Sequence, residues 1–328
     1  MPSPITGDFY LDWAILALSI FNMVLLLWLG ATVVLNAERR TRGLYLAGGG
    51  LLLAGSLFLV HTAIVGRGLG YVTRWIDSWW TLGWTPAIIA PVAWYTQMLW
   101  YSGYWRDPNT PLRRLHRFFL PIAALIAILL TLIPLLDPHP LGSYDDMIAY
   151  SRVSPIALRT LPILVLLYPF YSLLCFGLSL HALRRPAASE RVMGDLARRR
   201  ARPWLAAAAL VLLGVSLIGS GALVWFIGYG RQDALYLTDR AFLVAAGWLD
   251  VLIAASIGIA VLLLGQAITR YEIFTGRTLP RRGLSRHWHR AVLLAGGYGV
   301  LVGWSFASGV HAIYSLLLTT LLVVAFYA

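Results

Sequence analysis

Apolar residues run along the chain in long blocks, interrupted by short polar segments rich in Arg. A helix that crosses a bilayer needs about 20 mostly apolar residues. The pattern predicts nine such spans, at 13–35, 43–65, 84–104, 118–136, 160–182, 204–228, 242–269, 291–306 and 310–328. Only residues 307–309 separate the last two, which read as a hairpin. The expected fold is therefore all-α: a polytopic membrane bundle of about nine transmembrane helices, seven plus a C-terminal hairpin. Its parts are a seven-helix bundle at 1–270, a cytoplasmic linker at 271–290 and the hairpin at 291–328. No internal repeat is visible, which weighs against an inverted-repeat transporter.

Composition agrees with this pattern. Hydrophobic residues make up 59% of the 328 and charged ones 12%, with mean hydropathy +0.73. Soluble domains are nearer half apolar and about a quarter charged. The net charge of +12 invites a nucleic-acid partner. The charges lie in short loops between apolar runs, however, so nucleic acid is excluded. Every basic residue is Arg, and their placement orients the chain. With the N-terminus outside, twenty of the 26 fall in inner loops, as cytoplasmic loops favour. The N-terminus has no basic stretch before its first apolar run, so that run reads as a retained span and not a cleaved signal. The expected location is the bacterial inner membrane, as a multi-pass protein. The expected partner is the lipid bilayer, including anionic lipids at the cytoplasmic Arg-rich loops such as 183–203.

Candidate chemistry is sparse. Asp250, in GWLDVLIAA, sits about two turns into the seventh span. An ionisable group at such depth is costly and faces the bundle interior with a partner. Tyr95, Tyr168 and His61 are the leading partners expected. His61, Trp94, Tyr95, Tyr168 and Trp248 join Asp250 as candidate lining of a mostly apolar ligand site. Paired with His311 at similar depth, His61 could serve a haem, but an ordinary hydrogen bond is the default, and no cofactor or metal is assigned. Cys175, the single cysteine, lies in an apolar run and reads as packing. Trp75 and Trp79 are expected on one face of a short interfacial helix. The glycines at 48–50, 296–299 and 214, 219 and 221 read as points of close helix contact. No nucleophile elbow, zinc-protease pair, P-loop or nucleotide fingerprint is present, so no catalytic residue is assigned.

After the seventh span comes QAITRYEIFTGRTLPRR. Ala267, Ile268, Arg270, Tyr271 and Phe274 resemble the junction that follows the seven-helix N-terminal sensor region of bacterial histidine kinases and related signalling proteins. Thr275 and Gly276 replace the Asp-Ile usual there, and the chain has no kinase H-box. The resemblance implies a membrane input domain serving a cytoplasmic signalling module outside this chain. The last apolar run ends without a basic flank, so the sequence is expected to be part of a longer polypeptide.

The function expected is a sensor or receptor-like domain that binds a small ligand from the outer side. Its coupling element would be the segment 270–290, through Arg270, Arg281, Arg282 and Arg286. The alternatives are a transporter or channel with an intramembrane acidic site at Asp250, or a non-catalytic subunit of a larger membrane complex.

Overall fold

The structure, a computed structural model, describes residues 5–35, 42–67, 74–105, 111–136, 157–158, 161–184, 194–232, 239–271, 282–309 and 320. It is an all-helical bundle. Eight helices are described: α1 (Phe9–Leu35), α2 (Arg42–Arg67), α3 (Arg74–Ser102), α4 (Pro111–Leu136), α5 (Ile163–Arg184), α6 (Gly194–Gln232), α7 (Arg240–Tyr271) and α8 (Arg282–Ala307). A two-residue antiparallel pair, Ala157–Leu158 with Leu161–Pro162, precedes α5. Six of the helices, α1, α2, α4, α6, α7 and α8, are long and apolar enough to cross a membrane. The chain is thus a multi-pass helical membrane protein. The helix α3 is rich in Trp, Tyr and Pro, and α5 carries two Tyr and a Pro within its apolar run. Nine spans were expected; the ninth, at 310–328, lies outside the described residues apart from Thr320.

Two sequence expectations change. Residues 74–83 form no separate surface helix with Trp75 and Trp79 but run unbroken into α3. Residues 282–290, expected in the linker, are the first turns of α8. Pro162 stands just before α5, where its missing N–H and fixed φ are tolerated.

Consecutive helices run up and down. In α1 and α2, Gly30 meets Leu52, Gly55 meets Leu27 and Gly48 meets Val34, an antiparallel register. Between α2 and α3, Gly83 meets Val60 and Gly43 meets Trp100, antiparallel again. The order α1–α2–α3–α5–α6–α7 closes on α1 as a ring, each helix packed against the next. Outside the ring, α4 packs on α3 and α5, and α8 packs on α1 and α7. The contact of α8 depends on Gly299 and Gly303, one helical turn apart, where a Cβ would collide with the α1 backbone at Ala17. Small residues at this spacing let two helix backbones approach, and Trp13 Nε1 donates across the same seam to the Val300 carbonyl at 3.0 Å.

The ring is filled unevenly. Where α1 ends, Leu29, Val33, Leu44, Ala47, Tyr101, Leu205 and Ala267 share one buried cluster. Where α1 begins, the buried cluster is smaller: Ile5, Leu11, Ile15, Leu16 and Val65. The helix α6 leaves Leu210, Leu217 and Val224 exposed. Gly214, Gly219 and Gly221 have no atom of another element within 4 Å of a Cβ position. The close contact expected of these three glycines is therefore not made among the described residues.

Two hydroxyls of α5 cross-link it to α3, and a proline explains the first. Pro91 has no N–H to donate to the Ala87 carbonyl one turn earlier. The Tyr168 hydroxyl donates to that carbonyl at 3.3 Å, and the Tyr171 hydroxyl to the next one, Ile88, at 2.8 Å. The sequence thereby exchanges a local hydrogen bond for one between helices.

Candidate functional site

The principal polar site joins α1, α2 and α7 near the end where α1 begins. His61 Nε2 lies 3.2 Å from Asp250 Oδ1. The other ring nitrogen, Nδ1, lies 2.9 Å from Ser19 Oγ on α1. Ser19 Oγ is 2.7 Å from Thr62 Oγ1, and Thr62 donates to the Phe58 carbonyl at 2.7 Å. One donor assignment satisfies the whole chain. Thr62 donates to Phe58, Ser19 donates to Thr62, and His61 Nδ1–H donates to Ser19. The Nε2–Oδ1 contact then holds one proton, and the pair is neutral whichever atom keeps it.

The side chains of His61 and Asp250 are each 30% exposed, although their helix directions point inward. On α7 the exposed residues Trp248, Leu252 and Ile259 mark the outward stripe. At about 100° per residue, Asp250 lies nearly opposite that stripe. Exposure of an inward group means that side chains leave the ring interior open at this level. The N-terminal hook lies above it. Asp12 accepts hydrogen bonds from Ile5 N (3.0 Å), Thr6 N (2.8 Å) and Thr6 Oγ1 (2.6 Å). This holds Thr6 against Gly247 of α7, one turn before Asp250, and Ile5 in a cluster with Val65, one turn beyond His61.

Below this level Asn22 Nδ2 donates to the Ala254 carbonyl at 2.8 Å, tying α1 to α7. A Cβ on Gly258 would lie 3.2 Å from Asn22 Oδ1, so the glycine leaves room for this buried amide.

A second polar cluster joins α3, α4 and α5 near the opposite end. Tyr95 Oη lies 2.6 Å from His116 Nδ1, and His116 Nε2 lies 3.0 Å from His181 Nδ1. His116 and Tyr95 are fully buried, and His181 is exposed. The three groups lead from the surface into the core, with no carboxylate among them.

Of the six residues expected to line one ligand site, the structure brings together only Asp250 and His61. Tyr95 belongs to the His116 cluster, and Tyr168 serves the α3–α5 cross-link beside Trp84. Trp94 is buried in the main apolar cluster. Trp248 is 61% exposed and on the far side of α7 from Asp250, because two residues turn a helix by about 200°. Arg270 and Arg286 are exposed at the ends of α7 and α8. Arg281 lies outside the described residues, as does His311, and nothing is described of the Arg282 side chain. Cys175 is buried, within the α3–α4–α5 cluster. Sequence reasoning missed Ser19, Thr62 and His116. The hydroxyls give no signal, because Ser and Thr inside apolar helices usually bond their own backbone. His116 stands in RRLHR, which reads as an inner loop.

No protein-family model, curated protein or solved structure matches this chain. Its function must therefore be argued from its own residues. Among the described residues no cluster of three or more His, Cys, Asp or Glu could hold a metal.

Proposed function

We propose that this chain is a membrane sensor or receptor-like domain whose responsive element is the Asp250–His61 pair. The carrying observation is that pair itself, at 3.2 Å between α7 and α2, half-open toward the ring interior. A ligand that takes a hydrogen bond from either partner changes the link between the two helices, and it shifts the bundle only by its unequal affinity for the two arrangements. From Asp250 the helix α7 continues unbroken to Tyr271. A displacement there reaches the segment 270–290 first, with Arg270, Arg281, Arg282 and Arg286 as the coupling groups. The reading places the N-terminus outside, nine spans in a bacterial inner membrane, anionic lipid against the inner Arg, and a signalling module beyond this chain.

The test is hydrogen exchange in nanodiscs across a panel of small amphiphiles. A binder should protect the peptides holding His61 and Asp250 and alter exchange at 266–290, and Asp250→Asn should abolish both effects. Protection at the pair with no change at 266–290 sinks the sensor reading. Orientation is tested separately by Arg198→Cys and Asp145→Cys in intact cells. Labelling at 198 with protection at 145 reverses it.

A second reading, a proton-coupled transporter, draws on the Tyr95–His116–His181 cluster, which provides titratable groups at the opposite end of the bundle. Proton flux into liposomes that is lost in Asp250→Asn would favour it over the sensor.

A further inference from the structure

The Asp250–His61 cluster is complete except at one atom. His61 uses both ring nitrogens, toward Ser19 and toward Asp250 Oδ1. Ser19 and Thr62 pass their hydrogens along to the Phe58 carbonyl. Asp250 Oδ2 has no hydrogen-bond partner among the described residues. It is an acceptor whichever atom holds the shared proton, because that proton lies between Nε2 and Oδ1. A ligand that engages this site must therefore bring a hydrogen-bond donor. The neighbouring helix does not seal the place. Trp225 of α6 stacks on Phe242 of α7, two turns before Asp250. The antiparallel run of α6 then puts Leu217 at the level of the pair. No described side chain of α6 beyond Ala209 is buried, and a Cβ on Gly214 or Gly221, on either side of that level, would meet no atom of another element within 4 Å. The bundle is loosely filled here, in keeping with the exposure of both side chains of the pair.

We infer that Asp250 and His61 bind a primary ammonium ion in exchange for the proton they share. This names the ligand of the pair proposed above and rests on that reading. A neutral hydroxyl would add one hydrogen bond at Oδ2 and leave the link between α2 and α7 as it is. An ammonium takes the carboxylate from His61. Its three hydrogens meet three acceptors: Oδ1, Oδ2 and the vacated His61 Nε2. The cation enters, the N–H or O–H bond to the shared proton breaks, and that proton leaves to water on the open side. The His61 Nδ1–H stays on Ser19. The site is neutral before and after, so no uncompensated charge is enclosed at either stage. A metal cation suits the place less, because hard cations gather several oxygens and the Ser19 and Thr62 hydroxyls are already engaged. The other charged groups described at this end have partners of their own. Asp8 and Asp12 of α1 accept hydrogen bonds from backbone N–H groups. Asp239 accepts from Tyr229, and Arg240 reaches the Gly7 carbonyl at 3.5 Å. On α8 the titratable group at this depth is the Tyr298 phenol, beside Gly299, which meets α1 between Ala17 and Phe21. Nothing is described of the Arg67, Arg74 and Asp77 side chains.

The experiment titrates n-butylammonium into the full chain in phosphatidylcholine nanodiscs, with empty nanodiscs subtracted. Calorimetry in buffers of different ionisation enthalpy counts the protons released. Binding should release about one proton per cation, and while the pair holds its proton each pH unit upward should tighten binding about tenfold. Tetramethylammonium has the charge but no N–H, and it should not compete. Asp250→Asn should lower the affinity for butylammonium roughly a hundredfold and abolish the proton release. Absence of binding at mildly alkaline pH overturns the inference. So do binding without proton release and equal competition by tetramethylammonium or sodium, all read on the unaltered protein. Undiminished binding by a folded Asp250→Asn overturns it too. Proton release on butylammonium binding with no exchange response at 266–290 would sink the sensor reading and leave this site standing. A neutral amphiphile that protects the pair and moves 266–290, with butylammonium inert, would do the reverse.

Discussion

The two polar clusters are built on histidine in different ways. In the α1–α2–α7 cluster, His61 faces a carboxylate, and both side chains keep contact with open space. In the α3–α4–α5 cluster, His116 sits between a phenol and a second imidazole, and is fully buried. A carboxylate is expensive to bury, so its site stays half-open and can change partner. Neutral groups can be enclosed completely if each finds a hydrogen bond, and the enclosed cluster then ties helices together. On the proposed reading, response belongs to the first cluster; the second provides cohesion, joining α4 to the ring through α3 and α5.

The largest expected effect is on cohesion. His116→Ala removes a buried ring and strands the Tyr95 hydroxyl, so it should cost about 3 kcal/mol or more. Thermal unfolding in detergent measures this, and α4 should become the helix most open to proteolysis. At the other cluster, Asp250→Asn keeps a hydrogen-bonding group in a half-open place and should cost about 1 kcal/mol or less. If Asp250→Asn destabilises more than His116→Ala, the assignment of roles is reversed.

The helical framework was legible because lipid imposes it. Each of the first eight expected spans overlaps a described helix, since a membrane helix must be a long apolar block. The contact between Asp250 and His61 was legible for the same reason: a carboxylate in an apolar helix needs a partner, and His61 lay at matching depth. Trp248 shows the limit of counting by depth alone. It is two residues from Asp250 and faces the other way, which helical periodicity already implies. The His116–His181 contact was hidden, because His116 stands among Arg just before the fourth expected span and reads as a loop residue, while His181 reads only as the inner end of the fifth. Partnership across α4 and α5 depends on the packing of the ring, which no local pattern encodes.

Glycine sharpens the same contrast between a closed and an open region. Gly303 lies where a Cβ would meet the Ala17 backbone. Gly303→Val should therefore push α8 from α1 and cost about 1–3 kcal/mol. Gly214 lies in an equally apolar helix with nothing near it. There Gly214→Ala should stabilise by about 0.5–1 kcal/mol through helix propensity alone. Both are read from melting temperature in the same detergent. If Gly214→Ala destabilises, that face of α6 is covered by something outside the described residues.

The smallest effect concerns the turn into α7, outside the apolar spans. The Tyr229 hydroxyl donates to Asp239 Oδ2 at 2.8 Å, and the Ala241 N–H donates to Oδ1 at 2.9 Å. The Tyr229 hydrogen bond, and after it the Ala241 N–H, hold the Asp239 carboxyl below its ordinary value. A carboxyl with a depressed folded-state pKa adds stability that is complete above its unfolded value and lost as pH falls through the folded one. Tyr229→Phe removes the larger cause. At neutral pH the variant should melt slightly below the wild type. The gap should close as both are acidified through the carboxylate range, where the proton displaces the hydrogen bond in either protein. Water reaches this site freely, so the gap should also be small beside that of His116→Ala. A gap that persists unchanged in acid would mean that Tyr229 acts through its ring, which packs against Phe242 with centroids 4.9 Å apart, and not through its hydroxyl.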